Sequence, residues 1–455
     1  MMGLFQKTMT KIKLNLPNPI HDVQRQILNF ILDKDPTTRV CIVAAGTKSG
    51  KSFINGVGLT NLIHSEKQTL CRWFAPQYIQ SQIGLKYVKR FLPLEHPKLK
   101  HMYEVKNSGT PTITMKQLDN TVQFLHAQKP ELVEGEATRL NLLDEAAKYK
   151  NLEDFIQAVR TTTTFTKGKI VLFSTPLGKN HFYKEYQKAL EEMHLAKQNN
   201  RKPTAIALHA PTKANPFVDE ATLDYMRNTM PERLYKQYVL AEFVDESTTF
   251  GDVSSNFDSS QKVLDSIETQ QFWLHTESKV KEKVFIGVDW GKQSDYTVFT
   301  ALYEDPENRI VRLVGVQRFR RVSYVQAVDN LKNFVQNFDR VEEIYHDKTG
   351  VGVAIDDILE DQHIIAEGII FTNNSKTEMV LRLMLYIEKN LIIFPRYEIL
   401  KNELNNFETS FTRSGKMHFE AASGTTDDII CSILLSLTAV TDIGGDFSVR
   451  VIEDP

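Results

Sequence analysis

Several features that would narrow the class of this 455-residue chain at once are scarce or missing. It has only three cysteines, Cys41, Cys71 and Cys431, far apart and in apolar surroundings. That spacing excludes a disulfide framework and a cysteine-rich zinc site, and fits reduced, buried thiols. No apolar run approaches the roughly 20 residues that span a bilayer, so no membrane partner is expected. Met1 to Leu16 is dotted with lysines but lacks an apolar centre and a cleavage site, which predicts no secretion signal. There is no internal repeat and no low-complexity segment. Nor is there an excess of positive charge: 55 basic against 57 acidic residues leave a net charge of −2. A nucleic-acid enzyme with that balance must gather its basic residues on one face or grip its substrate within an assembly.

What is present is an ordinary globular composition, 41% hydrophobic and 25% charged, in a chain too long for one core. From Arg39 to about Ile170 short apolar strands alternate with helical stretches, the pattern of a parallel α/β sheet. Strands are expected at Val40–Ala44, Arg72–Pro76, Leu140–Leu143 and Ile170–Ser174, with a helix over Lys51–Ile63. Pro231 to Glu242 has helical periodicity. Between Asp245 and Val280 the pattern breaks, and Ser, Thr and Asp cluster around Phe250-Gly251-Asp252, which predicts a connection. A second α/β pattern then opens with strands at Val284–Val288, Thr297–Tyr303 and Ile310–Arg318.

Two sets of residues carry chemistry. The first is the phosphate loop Ala45-Gly46-Thr47-Lys48-Ser49-Gly50-Lys51-Ser52, between a buried strand and a helix. In such a loop backbone N–H groups cradle phosphates, the lysine meets the outer phosphates and the serine hydroxyl ligates Mg²⁺. The loop departs from the common pattern, with Ala45 at the first glycine position and Gly46 one place late. A second apolar strand ends in Asp144-Glu145, a magnesium-side carboxylate followed by an acid suited to activating water. The plainer reading is a Gly-Ser turn and an unrelated acidic strand end.

The second set is Asp289, Asp347 and the pair Asp427-Asp428. Asp289 and Asp347 end strands, and the pair opens the apolar helix Ile429–Leu437. Fifty-eight residues separate Asp289 from Asp347, and 81 separate Asp347 from Asp428, so only a fold can bring them together. Crowded carboxylates repel one another unless cations neutralise them, which is the design of a two-metal phosphodiester cutter. The plainer reading is that Asp427 and Asp428 cap a helix. Asp295 reads as a turn residue, His346 as a strand residue and Lys376 as the start of a solvated helix, the last two near the expected site.

The ordered set of motifs resembles the large terminase subunit of tailed bacteriophages, over about residues 17 to 440. Pro17-Asn18-Pro19-Ile20-His21-Asp22-Val23-Gln24 is similar to that family's adenine-contacting segment, which implies a nucleotide role for Gln24. Trp73-Phe74-Ala75-Pro76-Gln77-Tyr78-Ile79-Gln80 resembles its strand-end motif. Phe173-Ser174-Thr175-Pro176-Leu177-Gly178-Lys179-Asn180 resembles its coupling motif, which implies that Ser174, Thr175 and Pro176 relay hydrolysis to movement. Asn215-Pro216 and Tyr238–Phe243 are similar to the region closing its ATPase domain. Asp347 with Lys348-Thr349-Gly350-Val351-Gly352 resembles its second metal-ligand motif, and the resemblance favours Asp428 over Asp427 as the principal ligand. The family often carries arginine at the position of Thr47, and Lys48 is the nearest charge here. Arg139 is a candidate finger for a neighbouring subunit's phosphates, beside the plainer reading of a surface arginine.

The resemblance implies an ASCE-type P-loop ATPase domain over residues 1–245, a linker over 246–280 and an RNase H-like nuclease domain over 281–455. It implies ATP with Mg²⁺ at the first site and two Mg²⁺ or Mn²⁺ ions at the second. It further implies translocation of double-stranded viral DNA into a procapsid and cutting of concatemers. The implied partners are the portal protein, a small terminase subunit and further copies in a ring, in the bacterial host cytoplasm and transiently at the portal. A helicase–nuclease of repair or restriction shares both chemistries, but no second motor domain is visible. A decayed assembly protein that only binds DNA and portal is disfavoured by the intact Lys51, Ser52, Asp144, Glu145, Asp289, Asp347 and Asp428.

Overall fold

The computed structural model describes residues 19–440 except 95, 97–98, 128–132, 134, 245–247, 259–270, 275–279, 292–294, 306, 351–352 and 412–416. Pro17, Asn18, Val351 and Gly352 of the sequence motifs therefore lie outside the described residues, as does part of the expected linker. The chain folds as two compact units: one from residues up to 227 together with 233–245, the other from 246 onward together with 228–232.

The first unit runs α1 (Asp22–Leu32), β1 (Val40–Ala45), α2 (Lys51–Ser65), β2 (Leu70–Ala75), α3 (Tyr78–Phe91), β3 (Tyr103–Lys106), β4 (Thr112–Met115), β5 (Asn120–His126), β6 (Leu140–Asp144), α4 (Leu152–Thr164), β7 (Lys169–Ser174), α5 (His181–Gln198) and β8 (Ala205–Ala210). Its eight strands lie in the order β3-β4-β5-β2-β6-β7-β1-β8. All pairings from β5 to β8 are parallel, and β3, β4 and β5 pair antiparallel at one edge. The parallel strands β1, β6 and β7 are buried almost end to end, as a sheet covered by helices on both faces requires. One strand, β7, separates the phosphate-loop strand β1 from the acid-bearing strand β6, so all three motifs end at one edge of the sheet.

Helical periodicity predicted one helix across Pro231–Glu242, yet the helix covers only Glu232–Tyr238. Beyond it Ala241 adopts a positive φ of 59°. The carbonyls of Tyr238 and Val239 are taken by N–H groups of Thr47 and Thr212 at 2.7 and 2.8 Å. The segment is spent on bracing the phosphate loop, which a continuing helix could not do.

The second unit carries β9 (Gln271–Leu274), β10 (Val280–Asp289), β11 (Tyr296–Asp305), β12 (Ile310–Arg320), α6 (Tyr324–Val335), β13 (Phe338–Asp347), α7 (Val353–Asp361), β14 (Glu367–Ile369), α8 (Asn373–Glu388), β15 (Ile392–Ile393), α9 (Glu398–Asn405), β16 (Phe407–Phe411), β17 (Met417–Ala421) and α10 (Asp428–Ala439). The order is β14-β13-β10-β11-β12-β15, with β9 also on β12 and β16–β17 as a separate ribbon. β10, β11 and β12 pair antiparallel, whereas β13 joins β10 in parallel. α10 packs across β10, β11 and β13. Its backbone comes so close to β10 that a Cβ on Gly287 would collide with the Ser432 carbonyl. The Ser432 hydroxyl donates to the Gly287 carbonyl at 2.9 Å, locking that approach.

Part of the expected linker belongs to this unit. Thr249 N–H donates to the Phe407 carbonyl, Phe250 stacks on Phe407 at 5.4 Å, and Asp258 N–H donates to the Phe394 carbonyl at 2.9 Å. The polar composition of this stretch concealed its two anchoring phenylalanines, Phe250 and Phe257.

Candidate active sites

At the first site Gly50 sits at φ 79° and opens α2. The four N–H groups of a helix's first turn have no partner within the helix, which makes the loop a ready anion cradle. Gly46 allows close contact, because a Cβ there would stand 2.6 Å from the Thr212 hydroxyl and 2.8 Å from the Val239 carbonyl. Thr47 is held through its hydroxyl to the Tyr238 carbonyl at 3.2 Å, and its carbonyl accepts from Thr212 at 2.7 Å. Asn215 donates to the Lys48 carbonyl at 2.6 Å. The Lys48 side chain is exposed and its φ is 56°. Ser49 is buried and its hydroxyl finds no partner among the described residues. Ser52 follows Lys51 in the first turn of α2 and is half-buried.

Gln24 lies over this loop. His21 and Gln24 form a capping box at the start of α1. The Gln24 amide donates to the Gly50 carbonyl at 3.3 Å, and His21 Nε2 is 3.0 Å from the Ser49 carbonyl. The side chain expected at the base is thus engaged with loop backbone.

Lys51, Asp144 and Glu145 converge. Lys51 Nζ lies 3.1 Å from Glu145 Oε1, and Lys148 Nζ lies 3.5 Å from Glu145 Oε2. Burial pushes the Glu145 carboxyl up, but Lys148 and Lys51 outweigh it and hold it well below the usual range. The Asp144 carboxyl is pushed up, by burial first and then by the charge of Glu145. Asp144 Oδ1 is buried without a hydrogen-bond partner among the described residues. An orphaned carboxylate oxygen beside a phosphate cradle is a donor suited to a hard divalent cation. Glu145 occupies left-handed backbone space at φ 49°. Ser174, at the end of β7, donates to Glu145 Oε2 at 3.4 Å and to the Thr175 carbonyl at 2.8 Å. Ser174, Thr175 and Pro176 are all buried. Arg139 stands at the opposite end of β6 from Asp144 and makes a bidentate pair with Glu66 at 2.8 and 3.0 Å, so it is not a free surface arginine.

At the second site Asp289 ends β10, and Val288 pairs with His346 in parallel β13, which puts Asp347 beside Asp289. Side chains alternate along strands, so Gly287, Asp289 and Asp347 face α10, where Asp427 and Asp428 stand at the helix start. Burial drives the Asp289 carboxyl well above its usual range, followed by the charges of Asp428, Asp347 and Asp427, against the pull of Lys376. Asp428 is pushed up to about 6, by burial first, and then by Asp427 and Asp295 against Arg318. Among the described residues no three acidic, histidine or cysteine side chains stand close enough, as placed, to enclose an ion. Their chemistry nevertheless suits one. Carboxylate oxygens are ligands for Mg²⁺ or Mn²⁺, Asp428 Oδ2 is buried without a hydrogen-bond partner among the described residues, and mutual repulsion is what a cation would relieve.

One neighbour, Glu403, was missed in the sequence, and several others take partners that the sequence did not indicate. Asp427 makes no capping hydrogen bond. The α10 start is capped instead by Glu403 of α9, which accepts from Ile429 N–H at 3.0 Å and Ile430 N–H at 3.2 Å, and from the Thr426 hydroxyl at 2.9 Å. Burial and then the charge of Asp428 raise the Glu403 carboxyl to about 8. Lys376 is not solvated: it donates to Asp427 at 3.0 Å. His346 faces away from the carboxylates, accepting from the Trp290 indole at 3.1 Å with Asp356 at 3.2 Å on its other nitrogen. Asp295, read as a turn residue, lies within electrostatic reach of Asp428. No local pattern marks Glu403 or the pairing of Lys376, because each reaches the start of α10 from a distant segment.

Comparison with known proteins agrees with the resemblance. Residues 286–432 match the family model described as the terminase RNaseH-like domain. The large terminase subunit of Thermus virus P23-45 is 26% identical over 323 residues, covering 68% of this chain and 63% of that protein. The large terminase subunit of Escherichia phage T5 is 23% identical over 282 residues, covering 62% of this chain and 59% of that one. The solved large terminase of a thermophilic bacteriophage shares the fold. Its TM-score is 0.51 at 14% identity, covering 93% of this chain and 99% of that one, and a second structure of it, in complex with ADP, scores the same. The matched region thus spans less than two thirds of the curated relatives' length. The expected fold holds: a mostly parallel α/β unit carrying the phosphate loop, followed by an RNase H-like unit. In sequence and in fold the chain is similar to the large terminase subunits of bacteriophages.

Proposed function

We propose that this chain is an ATP-driven motor that moves double-stranded viral DNA into a procapsid and cuts concatemeric DNA with a metal-dependent nuclease. The observation that carries the reading is the pairing of two acidic centres in one chain: Lys51, Glu145 and Ser174 meeting at one strand edge, and Asp289 and Asp347 aligned beneath Asp428 at another. The assignment gives the ATPase to the first unit, which ends near residue 245, and the nuclease to the second, into which part of the 246–280 stretch folds.

In the motor domain Gly46 to Gly50 receive the phosphates on backbone N–H groups, and Lys51 leaves Glu145 to meet them. Ser52 and Asp144 hold Mg²⁺ with the nucleotide. Glu145 orients the attacking water, and Ser174, Thr175 and Pro176 carry its change of partner along β7. Gln24 senses the base side through Gly50. The similarity to a terminase solved in complex with ADP supports a nucleotide here. In the nuclease domain Asp289, Asp347 and Asp428 hold two Mg²⁺ or Mn²⁺ ions, with Asp427 positioned by Lys376. Such ions activate water and neutralise developing charge on the phosphodiester. The partners are DNA, a portal protein, a small terminase subunit and further copies in a ring, and the setting is the host cytoplasm with transient docking at the portal.

The test is to assay ATP turnover and plasmid cleavage side by side in the full chain. Glu145→Gln should silence only the first and Asp289→Asn only the second. A chain without ATPase and nuclease activity refutes the reading, and one that unwinds a forked duplex belongs with the helicase–nucleases.

A further inference from the structure

Arg318 is unusual among the basic residues of the second unit. Antiparallel pairing sets Asp289 opposite Val298 and Val298 opposite Arg318. Directly paired residues share a face, so Arg318 belongs to the same row as Asp347 and Asp289, under the start of α10. Its side chain is only 10% exposed. The guanidinium lies over the Tyr296 ring, with its carbon 3.4 Å from the ring centroid. That stacking restricts the group and leaves its N–H edges to find partners to the side of the ring.

Few partners are there. Nε is buried without a hydrogen-bond partner among the described residues. One terminal nitrogen stands 3.5 Å from the Thr426 hydroxyl, at the far limit of a hydrogen bond. The same nitrogen is 3.9 Å from Asp428 Oδ2, which is a charge contact but not a hydrogen bond. A guanidinium has five donors, and burying them unmet costs free energy. A cation beside carboxylates that must bind metal also works against the metal. Both costs are offset if an anion with several oxygens arrives at the same place. A phosphodiester is such an anion, and the flat fork of arginine matches it. Arg320, whose guanidinium carbon is 5.1 Å from the centroid of the same ring, extends the positive edge along β12.

We propose that Arg318 is a substrate-binding catalytic residue of the nuclease site, its fork receiving the oxygens of the DNA phosphodiester held over Asp289 and Asp428. The inference rests on the nuclease reading above. It assigns the unmet N–H groups of Arg318 to the substrate and not to Asp428.

The test uses the full chain as wild type, Arg318→Gln, Arg318→Lys and Asp289→Asn. Plasmid cleavage is measured at saturating Mn²⁺, and Mn²⁺ binding is measured by calorimetry without DNA. Arg318→Gln should lower the cleavage rate by about 10²–10³-fold, the usual effect of removing one preorganised donor. Its Mn²⁺ midpoint should stay unchanged or fall, since a repelling charge is gone, and excess Mn²⁺ should not restore cutting. Arg318→Lys keeps charge without the fork and should recover only part of the rate. If Arg318→Gln does not fold, Arg318→Lys carries the test, with at least a tenfold loss expected at an unchanged Mn²⁺ midpoint. Cleavage at the wild-type rate overturns the proposal. So does a weakened Mn²⁺ midpoint with cleavage rescued by excess metal, which makes Arg318 a support for Asp428. If the wild type cuts and Asp289→Asn does not, such a result removes only the role of Arg318. If the wild type cuts with no metal ion, the nuclease reading falls and this inference with it.

Discussion

Lys51 Nζ stands 3.1 Å from Glu145 Oε1, so the lysine proposed to meet a nucleotide's outer phosphates is paired with the acid proposed to orient water. Lys148 holds the other carboxylate oxygen at 3.5 Å. On the proposed reading, a phosphate arriving at the loop would compete for Lys51, and the acid it releases would stay with Lys148 and Ser174. Phosphate binding and the position of Glu145 would thereby be linked through one ion pair.

Replacing Glu145 with glutamine should leave nucleotide affinity within a few-fold of the parent and slow hydrolysis by about 10²–10⁴-fold, the range of a positioned acid or base. Lys51→Ala should instead remove binding and turnover together. Equilibrium binding of a fluorescent ATP analogue with single-turnover hydrolysis separates the two. Parental turnover by Glu145→Gln would move the water-orienting role elsewhere, with Glu153 and Asp154 at the start of α4 examined next.

Ser174→Ala should lower the hydrolysis rate by less than Glu145→Gln does, on the order of tenfold at most, since its bond to Glu145 is long and a single neutral hydrogen bond contributes about 1 kcal/mol. DNA movement per ATP should fall further than hydrolysis if β7 relays the change. Equal loss of both would leave Ser174 as a support for Glu145 only.

How much of this was legible in the sequence follows from where each signal resides. Val40–Ala45, Leu140–Asp144 and Lys169–Ser174 were readable as strands because both faces of a parallel sheet are covered and apolar residues run unbroken. Asp289 was readable as a strand-end acid because β10 is apolar and buried from Val284 to Val288, and Asp347 from the short run Ile344-Tyr345 before it, although most of β13 is exposed. The periodicity of Pro231–Glu242 misled, because backbone carbonyls of Tyr238 and Val239 were committed to the phosphate loop. Glu403 and Arg318 were illegible, and Lys376 was read as near the site but not as the partner of Asp427. Each acts on α10 or on Asp427 and Asp428 from another element, and a charged residue in an amphipathic stretch gives no sign of its partner.

The crowded carboxylates predict a pH dependence. Asp289 is raised well above its usual value and Asp428 to about 6. A group whose folded value is raised stabilises the fold below its unfolded value, near 3.9 for aspartate, and that contribution is lost as pH rises through the folded value. In EDTA the melting temperature of Asp289→Asn should therefore gain on that of the wild type between pH 4 and pH 8. Mn²⁺ should reverse the order at pH 8, where the wild type has carboxylates to neutralise. Differential scanning fluorimetry across that range decides it, and a pH-independent difference would speak against a cage.

Glu403→Ala should destabilise the second unit by about 1–3 kcal/mol, because two N–H groups at the start of α10 lose their acceptor inside the protein. That corresponds to about 2–4 °C of melting temperature per kcal/mol for a domain of this size. Asp427→Ala, which removes no cap, should cost less. Thermal melts of the two variants give the order, and a larger loss for Asp427→Ala would return the capping role to the aspartate.

The central claim is that one chain joins an ATP-driven DNA motor to a nuclease, and DNA packaging measures both. Purified procapsids would be mixed with ATP, Mg²⁺, duplex DNA and the wild type, Glu145→Gln or Asp289→Asn. The account predicts DNase-protected DNA with the wild type and none with Glu145→Gln. Asp289→Asn should protect linear DNA while leaving concatemers uncut. Protection by Glu145→Gln equal to that of the wild type, or concatemer cutting by Asp289→Asn, would contradict it.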